Sequence, residues 1–71
     1  MNTELGHSLP KRIKEFRKKR KLTQEKLAEL SGIDYKHIQL LESNNPSNPT
    51  IATIEKLAKA LKVKPAELLK F

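Results

Sequence analysis

The stretch Leu22-Thr23-Gln24-Glu25-Lys26-Leu27-Ala28-Glu29-Leu30-Ser31-Gly32-Ile33-Asp34-Tyr35-Lys36-His37-Ile38 decides the fold. It predicts two short helices joined by a turn at Gly32. Thr23 stands where a side chain can cap the first of them, and Gln24 falls in its first turn. Gly32 can take the positive φ that stops a helix, and Asp34 can cap the helix that follows. That second helix has little to bury and carries several side chains suited to touching something else.

A helix, a Gly-containing turn and a second helix are the parts of a helix-turn-helix, whose second helix can enter a groove of DNA. Working outward, Leu9, Ile13 and Phe16 recur at spacings of four and three and predict a helix from about Ser8 to Arg20. Ser8 is a plausible cap, Pro10 is tolerated in a first turn, and most of the Lys and Arg side chains point away from the apolar stripe. The next two helices cover about 24–31, with Leu27, Ala28 and Leu30, and about 35–43, with Ile38 and Leu41. Asn and Pro dominate residues 43–49, which read as a loop. Thr50 caps a fourth helix with the stripe Ile51, Ile54, Leu57, Ala58 and Leu61. Lys64-Pro65-Ala66-Glu67 opens a short fifth helix whose apolar content is Leu68, Leu69 and Phe71. No segment alternates with the period of a strand. Residues 1–7 read as a flexible tail, and residues 8–71 as one all-α domain of five short helices.

The net charge of +7 is concentrated. Residues 11–21 hold Lys11, Arg12, Lys14, Arg17, Lys18, Lys19, Arg20 and Lys21 against Glu15 alone, and the rest of the chain is neutral in sum. A focused basic patch attracts a polyanion: nucleic acid first, an anionic membrane surface second. The membrane alternative is weak, because Leu9, Ile13 and Phe16 make too small a face to share between a core and lipid. The chain lacks cysteine, so it has no disulfide framework and no thiolate metal site, which suits a cytoplasmic protein. It also lacks an apolar run long enough to span a membrane. His7 and His37 have no carboxylate at ligand spacing, so no metal is expected. No phosphate-cradling Gly loop, carboxylate pair or nucleophile–base set argues for an enzyme or a cofactor.

Thr23-Gln24-x-x-Leu27-Ala28, then Ser31-Gly32-Ile33, Ile38 and Glu42, resembles the Cro/repressor-type (XRE-family) helix-turn-helix. Ile54-Glu55-Lys56-Leu57-Ala58-Lys59-Ala60-Leu61-Lys62-Val63 is similar to that family's fourth helix, so the resemblance covers about residues 11–69. It implies a lambda-repressor-like domain that binds duplex DNA with its third helix in the major groove. It also implies that Gln24 meets a phosphate and that Arg17 and Glu42 form a structural ion pair tying the first helix to the end of the third. Two departures stand out. The loop carries asparagines instead of the family's usual basic residues, and Lys21 and Lys62 replace glycines at helix ends, leaving the turn geometry there open.

At ~100° per residue, Ile38 and Leu41 fall in one sector of the third helix, and Tyr35, Lys36, Gln39 and Leu40 cluster on the opposite side. These four are the candidate base contacts. Gln can bond adenine, Lys can bond guanine, and an apolar side chain can touch a thymine methyl. Candidate phosphate contacts are Gln24, His37, Ser43, Asn44, Asn45, Lys14 and Lys18, supplying amide, hydroxyl or cationic donors; for His37 a packing role is the alternative.

The resulting expectation is a sequence-specific, repressor-like transcriptional regulator. One such module reads few base pairs, so a palindromic operator and a homodimer are expected. The dimer surface would lie in the C-terminal helices, at Leu68, Leu69 and Phe71. An antitoxin of a toxin–antitoxin pair, or the controller of a restriction–modification operon, are the alternatives on the same fold.

Overall fold

The computed structural model describes residues 9–43 and 49–69. Its helices are α1 (Leu9–Lys19), α2 (Gln24–Ser31), α3 (Tyr35–Leu41), α4 (Ile51–Leu61) and α5 (Pro65–Leu68). No strand occurs among the described residues. Ser8, Asn44, Asn45, Phe71 and the expected 1–7 tail lie outside them.

Local chemistry accounts for the boundaries. The Thr23 hydroxyl accepts from the Lys26 amide at 3.0 Å, and the Asp34 carboxylate accepts from the Lys36 amide at 3.0 Å. Thr50 caps α4 in the same way, accepting from the Thr53 amide at 3.1 Å. Pro65 opens α5 without a side-chain cap. Gly32 ends α2 at φ 74°, its amide bonded to Ala28 O at 2.9 Å. The third helix stops at Leu41, two residues short of the expected end. There the Ser43 amide and hydroxyl both donate to Leu40 O, at 3.1 and 2.7 Å, which closes a tight turn in place of another helical one.

The ends of α1 and α4 answer the question left open by Lys21 and Lys62. Both residues sit in the left-handed region, at φ 57° and 59°. The Leu22 amide donates to Arg17 O at 3.0 Å and Lys21 to Lys18 O at 2.9 Å; Val63 donates to Ala58 O at 2.9 Å and Lys62 to Lys59 O at 3.2 Å. These are the crossed bonds of the Schellman motif. Leu22 and Val63, just beyond each turn, pack onto the core and hold the chain in this shape despite the Cβ of lysine.

The core comprises Ile13, Leu27, Ile33, Ile38, Leu41, Ile54, Leu57, Ala58, Leu61 and Leu68, with Leu9, Phe16 and Ala28 among the half-buried residues against it. Helix α4 packs on α1, α2 and α5, and α1 also touches α3 and α5. Helix α3 is thus backed by α1 and α2, which leaves its other side outward.

Several apolar positions depart from the expected stripes. Ile51 is 78% exposed, because it lies at the tip of α4, roughly 90° off the line through Ile54, Leu57 and Leu61. Leu30 is half exposed, off the Leu27 line of α2. Leu68 is fully buried in the protomer's own core, so it is not available as a dimer surface; Leu69, rotated by ~100°, is half exposed instead. Arg12 and Lys19 do not point away from the α1 stripe. Their cations lie 5.2 and 5.9 Å from the centre of the Phe16 ring, and Arg12 Nε also donates to Glu67 O at 2.8 Å.

Candidate nucleic-acid interface

Helix α3 has two distinct sides. Ile38 and Leu41 are fully buried, and they fix its rotation. Tyr35, Lys36, Gln39 and Leu40 are all exposed, so the structure brings the four candidate base-contacting residues onto one solvent-facing surface. Leu40 is half exposed on that surface. Gln39 Nε2 donates to the Tyr35 hydroxyl at 3.2 Å, a bond along the helix surface. His37 is half-buried on the flank between the two sides, where packing and an outward contact are both open to it.

One carboxylate holds the frame beneath this surface. Glu42 is buried, with 1% of its side chain exposed, against 12% for Arg17. Arg17 Nε donates to Glu42 Oε2 at 2.7 Å and its Nη2 to Oε1 at 3.0 Å, a two-pronged match of guanidinium and carboxylate. The remaining Arg17 arm, Nη1, donates to Leu22 O at 2.7 Å. Gln24 Nε2 also donates to Glu42 Oε1, at 3.1 Å. The end of α1, the turn before α2, the start of α2 and the end of α3 therefore meet at one charge. A buried charge is costly unless its lone pairs are used, and here three side-chain donors use them.

This geometry revises the picture of Gln24. Its amide is committed in part to Glu42, leaving one N–H for a phosphate, next to the exposed backbone at the start of α2. Ser43 is similarly occupied, since its hydroxyl proton goes to Leu40 O; the hydroxyl can donate to a phosphate only by giving up that bond. Lys14 and Lys18 are exposed on α1. The Gln24–Glu42 bond links residues far apart in sequence, with no local pattern to reveal it. The Tyr35–Gln39 bond was not expected either, although a spacing of four between two polar side chains on one helix is a signal that could have found it.

Among the described residues, no group of three or more His, Cys, Asp or Glu could hold a metal ion, and no helix is long and apolar enough to cross a membrane. A capped helix, an αL turn and a second short helix with one exposed side together define a helix-turn-helix DNA-binding protein. The comparisons agree. The helix-turn-helix family model matches residues 13–68, and the chain belongs to that family of DNA-binding transcriptional regulators. The restriction-modification controller protein C.AhdI from Aeromonas hydrophila is 38% identical, with 84% of this chain and 89% of that one covered and a TM-score of 0.80. SinR, a master regulator for biofilm formation solved in complex with DNA, is 32% identical, with 87% and 98% covered and a TM-score of 0.83. No curated protein matches significantly. The family and these two neighbours are regulators, not enzymes.

Proposed function

We propose that this chain regulates transcription, in a repressor-like way, by binding a two-fold DNA operator as a homodimer, with α3 of each protomer in the major groove. The DNA-binding domain is residues 8–71, the action is binding alone with no catalysis or cofactor, and the setting is the cytoplasm. The observation that carries this reading is the exposure of Tyr35, Lys36, Gln39 and Leu40 on a helix whose rotation is fixed by buried Ile38 and Leu41. Bases are read by such side chains, and phosphates position the protein around them. Lys14, Lys18 and the free N–H of Gln24 supply the phosphate contacts, with Asn44, Asn45, Ser43 and His37 as further candidates.

The dimer surface is the largely apolar groove lined by Leu9, Pro49, Ile51, Ile54, Pro65 and Leu69, with Glu55 its one charged side chain among the described residues. A second copy is its occupant. A module that reads few base pairs needs a symmetric partner, and an apolar patch centred on Ile51 and Leu69 is self-complementary across a two-fold axis. Control of a restriction–modification operon is the second reading, favoured by the likeness to C.AhdI. Selection of bound duplexes from a random pool tests the proposal. A palindromic consensus supports it, and an absence of any consensus overturns sequence-specific reading.

A further inference from the structure

We propose that the Tyr35 hydroxyl fixes the amide of Gln39 in the orientation that reads adenine, making Tyr35 a specificity-determining positioning residue. The inference rests on α3 being the base-reading helix and goes on to name the base. A glutamine on a groove-facing helix is ambivalent. Its Oε1 and one N–H match the N6–H donor and N7 acceptor of adenine, while its amino group can instead serve the O6 and N7 acceptors of guanine. An unrestrained exposed side chain samples both arrangements.

Gln39 is not unrestrained. Its Nε2 donates to the Tyr35 hydroxyl at 3.2 Å, and the two residues are neighbours on the helix surface by their spacing of four. Tyr35 is a fit anchor, because it stands one helical turn before Gln39 and has few rotatable bonds. The turn that carries it is pinned by the Asp34 cap, 3.0 Å from the Lys36 amide. One of the two amide hydrogens is therefore used within the helix. What remains for a base is Oε1 and a single N–H, an acceptor beside a donor. That pair is complementary to adenine. Guanine would meet one N–H and one oxygen, and its O6 would face Oε1, two acceptors together. Tyr35 keeps its own hydroxyl proton, which is free for a donor contact of its own.

The test uses the intact chain, its selected duplex and every single-base variant of that duplex. The wild type is expected to prefer A·T at one position by about fivefold to a hundredfold, and Gln39→Ala to lose that preference. Tyr35→Phe removes the acceptor and frees the second hydrogen, so the preference should shrink by roughly two- to tenfold, mostly through better binding of G·C. In a Gln39→Ala background Tyr35→Phe should change nothing at that position. Because Tyr35 is exposed, the variant should fold, and circular dichroism checks this. A Gln39-dependent preference that Tyr35→Phe leaves intact overturns the proposal while α3 remains the reading helix, as does a Gln39-dependent preference for G·C. A base preference indifferent to Gln39 removes the underlying reading as well.

Discussion

At the scale of the residue, Glu42 ties three helices together. Its carboxylate accepts from two Arg17 nitrogens and from Gln24, and Arg17 passes the connection on to Leu22 O. The pairing of Arg17 with Glu42 could be inferred from the family resemblance, whereas the addition of Gln24 could not, because nothing in local spacing joins residues on the start of α2 and the end of α3. Removing one partner of a buried pair leaves the other charge uncompensated, which costs about 3–5 kcal/mol. Arg17→Ala and Glu42→Ala should each lower stability by that order. The double variant should lose less than the sum of the two, since both remove one interaction. Denaturant titrations of the four proteins check this, and strictly additive losses would show that the bonds contribute little. Gln24→Ala should be milder, near the ~1 kcal/mol of a single hydrogen bond.

Among the elements, the caps were the most legible feature and the helix ends the least. Thr23, Asp34 and Thr50 sit where short polar side chains must sit to satisfy free amides, and each does so. Lys21 and Lys62 disguise their role, because a lysine gives no sign that its backbone will be left-handed. The crossed turn bonds and the packing of Leu22 and Val63 impose it. A Cβ in this conformation costs roughly 1–2 kcal/mol, partly offset in a glycine by its greater freedom when unfolded. Lys62→Gly should therefore stabilise the domain by about 0.5–1 kcal/mol, seen as a rise in melting temperature of several degrees. A fall would mean that the Lys62 side chain makes a favourable contact outweighing the strain. Periodicity misplaced Ile51 and Leu30 for a related reason. A stripe defines a face, but whether a residue at its edge or tip is covered depends on where the neighbouring helices end.

For the whole molecule, the sequence was enough for the five-helix order and the outward side of α3, because both follow from periodicity around a capped core. It was not enough for the surface that two copies would share. Leu68 reads as apolar and C-terminal, yet it is buried in its own protomer, while Leu69 beside it is half exposed and Ile51, placed by periodicity in the α4 stripe, is exposed. Ile51→Glu should leave the melting temperature nearly unchanged while shifting the protein toward monomer in sedimentation and weakening operator binding. A large loss of stability with an unchanged oligomeric state would place Ile51 in a structural role instead.

In the proposed mode of binding, α3 reads bases while α1 grips the backbone. Affinities on the selected duplex, its single-base variants and a series of salt concentrations test it most directly, for the wild type, Lys36→Ala, Gln39→Ala and Lys18→Ala. Base contacts specify and phosphate contacts position. Lys36→Ala and Gln39→Ala should each cost about 1–3 kcal/mol on the preferred duplex and relax discrimination at one base pair. Lys18→Ala should weaken every duplex alike and reduce the salt slope by about 0.9, the share of one phosphate that is no longer neutralised. If the α3 substitutions leave base preference untouched, or if Lys18→Ala alone changes it, the account is contradicted.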